Sequence, residues 1–78
     1  MIDALKDRIE KAQKRYGNFA STHEAMGVAM EEWDEFREAV RCNNMKLVQN
    51  ECLDLAAVLI RLNGQLITDE KLQQRSTK

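Results

Sequence analysis

The stretch Met45–Leu62, MKLVQNECLDLAAVLIRL, is the part of the chain that decides the fold. Its apolar residues fall on almost every side of a helical projection, and it contains neither proline nor glycine. Asn43 or Asn44 directly before it supplies the N-cap of a helix. A helix this apolar is expected to be largely buried, so other helices must pack around it.

The end of this helix is predicted at Asn63-Gly64, the usual C-terminal punctuation, which gives it bounds of about 44–63. The residues that follow, QLITDEKLQQRSTK, form a mostly polar tail over 65–78. This tail has room for a short C-terminal helix, or it frays as terminal segments commonly do.

Two more helices are predicted before it. Over about 2–17, apolar residues recur at the spacing of an amphipathic helix, which Gly17 then ends. The stripe, expected to face the core, consists of Ile2, Leu5, Ile9, Ala12 and Tyr16. Ser21 followed by Glu24 is a capping box, so a second helix is predicted over about 22–42.

The predicted fold is therefore an all-α single domain over 1–78, an antiparallel bundle of three main helices. A chain of 78 residues buries too little apolar surface to be comfortably stable alone. We expect oligomerisation to complete the bundle, as a homodimer or homotetramer, with the first helix and the apolar residues of the third at the interface.

Composition excludes several classes of function. The formal net charge of -1 leaves no basic excess for a nucleic-acid partner or an acidic membrane surface. Charges recur throughout MIDALKDRIEKAQKRYG, which predicts neither a signal peptide nor a membrane span, and hence a cytoplasmic protein. Cys42 and Cys52 form no CxxC pattern, so reduced thiols are expected rather than a disulfide or a zinc site.

The pentapeptide EEWDE, Glu31–Glu35, concentrates acidic residues in the second helix. At about 100° per residue, Glu32 and Glu35 fall inside the apolar face, and Glu31 lies at its boundary. Trp33 points to the far apolar edge, where the core or a subunit interface is expected. A charge run on a helix is commonly a solvated face, and for this segment alone that interpretation remains open.

The third helix repeats the anomaly, because Glu51 and Asp54 share one side of it with apolar neighbours. Neither acid has a basic residue three or four positions away on the same helix. Buried carboxylates are costly unless they are paired or bind a metal. One explanation is interhelical salt bridging to basic residues of the first helix, such as Lys11, Lys14 or Arg15.

The other explanation is a metal centre. If the second and third helices pack antiparallel, Glu32, Glu35, Glu51 and Asp54 meet around one or two hard divalent cations, with Mg²⁺ the default and Mn²⁺ the alternative. A di-iron carboxylate centre is disfavoured, because the single histidine, His23, is not three residues after an acid. The calcium-loop pattern is absent from the sequence.

These two motifs resemble those of a known family. E-E-x-x-E, present as Glu31–Glu35, followed by E-x-x-D, present as Glu51–Asp54, is similar to the signature of MazG-like nucleotide pyrophosphohydrolases of the all-α NTP pyrophosphatase superfamily. The resemblance covers roughly Tyr16–Leu62, and fifteen residues separate the motifs.

The resemblance implies that Glu32, Glu35, Glu51 and Asp54 ligate Mg²⁺, and that Glu31 assists the metals or orients the attacking water. It also implies hydrolysis of an NTP or dNTP to the monophosphate and pyrophosphate, in housecleaning of the nucleotide pool.

Arg61 lies two turns after Asp54 on nearly the same side of the helix. It is a candidate for contact with a substrate phosphate, and a salt bridge is equally consistent with its position. Two functional alternatives remain at this point: a non-catalytic interaction module with a metal site, and a structural bundle whose acids are salt-bridged.

Overall fold

The computed structural model describes the backbone of residues 2–77 and the side chains of residues 2–69. It contains three helices, α1 (Ile2–Tyr16), α2 (Thr22–Arg41) and α3 (Met45–Thr77), and the described residues include no strand. The all-α prediction is confirmed. Of the predicted tail over 65–78, the side chains from residue 70 onward lie outside the described part of the chain.

The ends of α1 and α2 follow the local sequence signals. Gly17 ends α1 with a φ of 73°, and its N–H donates to the Gln13 carbonyl over 2.9 Å. The Ser21 hydroxyl accepts from the Glu24 N–H over 3.0 Å, as the capping box predicts. The Glu24 carboxylate reaches one residue further than expected, because it accepts from the Ala20 N–H over 2.7 Å.

The connection between α2 and α3 is short and tightly capped. Asn43 has a φ of 56°, in the left-handed region that asparagine tolerates. Asn44 is the N-cap of α3, because its side-chain oxygen accepts from the Leu47 N–H over 3.1 Å. The sequence left the choice between these two asparagines open, and the structure assigns the cap to Asn44.

The predicted end of the third helix at Asn63-Gly64 is wrong, because α3 continues through both residues. Its continuation is held by Gln65, whose side chain accepts from the Phe19 N–H and donates to the Phe19 carbonyl, both over 2.8 Å. Glycine inside a helix costs only about 1 kcal/mol relative to alanine. A pair of tertiary hydrogen bonds is comparable in size, so the local stop signal is overridden.

The helix α3 is the centre of the molecule. It packs against α1 and against α2, whereas α1 and α2 do not pack on each other within the described residues. A small core forms where the loop after α1 meets the other two helices. It contains Phe19, Ala25 and Val58, with Val28, Ala29 and Leu62 packed around them.

Much apolar surface stays uncovered in the single chain. The expectation that α3 is largely buried is not met, since Leu59 and Ile60 are 52% and 45% exposed. The prediction that Tyr16 faces the core is also wrong, because this side chain is 68% exposed. The reason is that α1 has one neighbouring helix, α3, which covers only the middle of its apolar stripe. No helix among the described residues has the length and apolarity needed to cross a membrane.

Candidate metal centre and cleft

An open cleft of about 760 Å³ runs along α3 between α1 and α2. It exists because both outer helices rest on α3 without touching each other. Residues of α3, among them Ala57 and Val58, form its floor, and Gly17, Asn18 and Phe19 of the loop after α1 also line it. The cleft therefore has two walls that belong to different helices.

The two walls carry opposite charge. The α1 wall contributes Arg8, Lys11 and Arg15, and the α2 wall contributes three of the acids predicted from EEWDE. These are Glu31, Glu32 and Glu35. A molecule that carries both a metal cation and an anionic group fits such a cleft better than a molecule of one charge.

Three of the predicted ligands meet at one point. Glu32 and Glu35, one turn apart on α2, lie opposite Glu51 of α3, and each offers a carboxylate oxygen within 4.8 Å of the other two. The structure thus brings the E-E-x-x-E and E-x-x-D motifs together.

The Glu51 carboxyl group is the most informative of the three. Only 8% of this residue is exposed, and its Oε1 is buried with no hydrogen-bond partner among the described residues. None of the ion pairs found among the described residues includes Glu51. The predicted alternative of a salt bridge to the first helix is therefore not realised for this residue.

Burial and the neighbouring carboxylates raise the pKa of two of these acids. Burial, followed by the carboxylates of Glu35, Asp54 and Glu51, raises the pKa of Glu32 to about 7. Burial is also the main cause that raises the pKa of Glu51, and the Arg8 guanidinium opposes it. Binding of protons or of a cation would relieve the repulsion among these carboxylates.

Asp54, the fourth predicted ligand, is paired differently. Its Oδ1 accepts a charge-assisted hydrogen bond from the Arg8 guanidinium, and both side chains are about one-third exposed. The interhelical salt bridge considered from the sequence therefore exists for Asp54. Its partner is Arg8, however, and not Lys11, Lys14 or Arg15.

Sequence reasoning missed Arg8, although a signal was present. Arg8 lies beside Ile9 and within one turn of Leu5 and Ala12, so it is a charged residue at the border of the α1 apolar stripe. A charge in that position needs a partner on the helix against which the stripe packs.

The remaining candidates lie at the edges of the site. Glu31 is exposed on the α2 wall, outside the three-acid cluster. Arg61 lines the cleft, but its guanidinium donates to Gln13 Oε1 over 3.2 Å and to the Gly17 carbonyl over 2.8 Å. It also lies 4.6 Å from the centre of the Phe19 ring. Arg61 thus connects the C-terminal end of α1 to α3 by hydrogen bonds.

Trp33 does not line the cleft. Its side chain is exposed and stacks on Phe36, with 5.4 Å between the ring centres. The prediction of a core position is therefore not met in the single chain, and the prediction of a subunit interface stays open.

No known protein family, curated protein or solved structure matches this chain.

The residues present fit a hard divalent cation. Glu32, Glu35 and Glu51 form an all-oxygen donor set of the kind that Mg²⁺ and Mn²⁺ prefer. The buried Oε1 of Glu51 has the electron pairs of a ligand and no protein donor among the described residues to satisfy them. A cation would satisfy that atom and relieve the repulsion within the cluster.

Proposed function

We propose that the protein is a Mg²⁺-dependent nucleoside triphosphate pyrophosphohydrolase, which converts an NTP or dNTP and water to the monophosphate and pyrophosphate. The observation that carries the proposal is the buried Oε1 of Glu51, which has no hydrogen-bond partner among the described residues and belongs to a three-acid cluster near a basic wall. The resemblance of the two acidic motifs to the MazG-like family supports the same reaction. Housecleaning of the cytoplasmic nucleotide pool is the proposed role.

The acids of α2 and α3 would together hold the metal. Glu32, Glu35 and Glu51 are the proposed ligands, with Asp54 as the fourth; Mn²⁺ is the alternative ion. Bound Mg²⁺ neutralises phosphate charge and lowers the pKa of a water molecule. The protein's own contribution is to fix these carboxylates on two helices, where Glu51 is oriented by its burial.

The basic wall would bind the phosphate chain. Arg8, Lys11 and Arg15 line the cleft opposite the acids, and guanidinium groups donate paired hydrogen bonds to phosphate oxygens. Arg61, which also lines the cleft, is the further candidate for a phosphate contact. Glu31, exposed beside the cluster, would accept a hydrogen bond from the attacking water and orient it.

A pyrophosphate-release assay tests the proposal. A panel of canonical and modified NTPs and dNTPs is incubated with Mg²⁺ at roughly 5 mM, a concentration chosen to fill a weak site. Release by the wild type should fall about 100-fold or more in Glu35→Gln and in Asp54→Asn, since each loses a metal ligand. Asp34→Asn is the matched control, because Asp34 is exposed and pairs with Arg37.

A second candidate function is a non-catalytic helical module. It is favoured by the Arg8–Asp54 pair, which neutralises part of the acidic cluster without a metal. Folded, metal-loaded protein that releases no pyrophosphate from any nucleotide in the panel would contradict the enzyme and support the module.

We also propose that the helices form an antiparallel bundle completed by a second copy of the chain. Ala25 packs with Val58, whereas Glu32, further along α2, meets Glu51, earlier on α3, so the contacts run in opposite chain order. Apolar side chains remain exposed on the outer faces of α2 and α3. They include Met26, Met30, Trp33, Val40, Leu59, Ile60, Leu66 and Ile67. A homodimer is the smallest assembly that would cover them, and a homotetramer is the alternative.

A further inference from the structure

Arg8 links the basic wall of the cleft to α3. It belongs to the basic wall, yet its guanidinium donates to Asp54 Oδ1 and, over 3.4 Å, to the Asn50 carbonyl. Asp54 is also the fourth acid of the set predicted to bind the metal. The Asp54 carboxylate therefore has two candidate positively charged partners, the Arg8 guanidinium and a divalent metal ion.

Arg8 shares its side of α1 with two other basic residues. Arg8, Lys11 and Arg15 are spaced three and four residues apart, which places them on one side of α1, and all three line the cleft. A guanidinium that leaves Asp54 therefore stays in the cleft, beside two other cations. Its long side chain reaches several positions without movement of the backbone.

We propose that Arg8 is a positioning residue that exchanges partners, holding Asp54 in the empty cleft and passing to a phosphate oxygen of the substrate when Asp54 turns to the metal. The inference rests on the proposed function, because it needs a polyphosphate substrate and a divalent cation. It gives a role to Arg8, a residue that lies outside both acidic motifs.

The exchange predicts that metal and nucleotide bind cooperatively. Arg8 competes with the cation for Asp54, so it weakens binding of metal alone. A phosphate chain that attracts Arg8 removes this competition. By linkage, the nucleotide then tightens the binding of the metal by the same factor as the metal tightens that of the nucleotide.

The variant Arg8→Gln separates the two halves of the exchange. With Mn²⁺ alone, titrated by the electron paramagnetic resonance signal of the free ion, Arg8→Gln should bind the metal about threefold to tenfold more tightly than the wild type. With saturating Mg²⁺, its calorimetric affinity for an α,β-methylene triphosphate analogue should fall about tenfold. These shifts have opposite signs, which a purely structural role of Arg8 would not produce.

The matched control is Lys11→Gln, which removes one positive charge from the same wall. Lys11 is exposed and pairs with Asp7 over 3.1 Å, whereas Arg8 pairs with Asp54. Its Mn²⁺ affinity should change less than about twofold, by long-range charge alone. Arg8→Lys keeps the charge at position 8 without the planar fork, and should lie between the wild type and Arg8→Gln in both titrations.

The outcomes distinguish this inference from the proposed function. Mn²⁺ affinity in Arg8→Gln no tighter than in Lys11→Gln, or unchanged analogue binding, would overturn the exchange. A wild type that binds no Mn²⁺ would overturn it together with the metal centre. Opposite shifts in a protein that releases no pyrophosphate would support the exchange and contradict only the hydrolase.

Discussion

Glu51 is the one buried charged residue among the described residues. Its Oε1 has no hydrogen-bond partner among them, and burial, followed by the charges of Glu35 and Asp54, raises the pKa of its carboxyl group. In a structural bundle such a group would be a defect. In a metal centre the same group would be a ligand already in position for its ion. The free energy that its burial costs is offset by the stability of the rest of the fold.

The first prediction concerns the charge of Glu51. Glu51→Gln should stabilise the metal-free protein at pH 7.5 by about 1 kcal/mol, because it removes a buried charge without changing the shape of the side chain. The same variant should lose most of the stabilisation that Mg²⁺ gives to the wild type. Urea unfolding with and without Mg²⁺ measures both effects.

Glu10→Gln is the control for this prediction, since Glu10 is an exposed acid on α1. Its stability should be unchanged within about 0.5 kcal/mol. If Glu51→Gln destabilised the metal-free protein instead, Glu51 would have a cationic partner and the salt-bridged bundle would be the better interpretation.

The second prediction concerns pH. The pKa of Glu32 is about 7 in the folded protein against an ordinary value of 4.5. Between these values the folded state holds a proton that the unfolded state has released, so stability falls as the pH rises through this window. The metal-free protein should therefore be more stable at pH 5.5 than at pH 7.5.

Urea unfolding of the wild type and of Glu32→Gln at both pH values isolates the contribution of this group. The variant should show a smaller loss of stability between pH 5.5 and 7.5, and saturating Mg²⁺ should reduce the loss in the wild type. An equal pH dependence in the two proteins would rule out Glu32 as its source.

At the scale of the helices, glycine has opposite meanings at two positions. Gly17 adopts a φ of 73°, which L side chains rarely occupy, whereas Gly64 lies inside α3. A Cβ built on Gly64 meets nothing within 4 Å. One glycine is required by the backbone, and the other only lowers the stability of its helix.

The third prediction follows from this contrast. Gly64→Ala should raise the free energy of unfolding by about 1 kcal/mol, since alanine favours the helix. Gly17→Ala should lower it by about 1 kcal/mol, because of the left-handed backbone. Thermal unfolding followed by circular dichroism measures the two changes. A loss of stability in Gly64→Ala would contradict a continuous α3.

The same elements show what the sequence could predict. Caps are local, so Ser21 and Gly17 mark helix ends correctly. Helical periodicity predicted that Glu32, Glu35, Glu51 and Asp54 meet, and the first three of them converge. The Gln65–Phe19 hydrogen bonds join residues far apart in the chain, and no local pattern reports them. The sequence predicted a salt bridge as one alternative for Asp54. The position of Arg8 at the border of the apolar stripe made it a candidate partner, but the rotation of α1 against α3, which decides the pairing, is a tertiary property.

For the whole molecule, the uncovered apolar surface leads to the fourth prediction. Leu59→Lys places a charge among the exposed apolar side chains of α3, where the proposed second copy would pack. This change should convert the oligomer to a monomer. Light scattering coupled to size exclusion would show the mass fall to that of one chain.

Ala4→Lys adds the same charge at an exposed position on α1, outside the apolar surface of α2 and α3, and should leave the mass unchanged. A wild type with the mass of a single chain would contradict the proposed oligomer.

The separation of α1 from α2 has a consequence for rigidity. Each outer helix packs on α3 alone, so the distance between the acidic and basic walls depends on two helix–helix contacts, α1 with α3 and α2 with α3. A metal–triphosphate complex held by both walls would span that gap and brace one helix against the other. Substrate would then complete the architecture, and the order of α1, measured by the exchange of its amide hydrogens, would report whether the cleft is occupied.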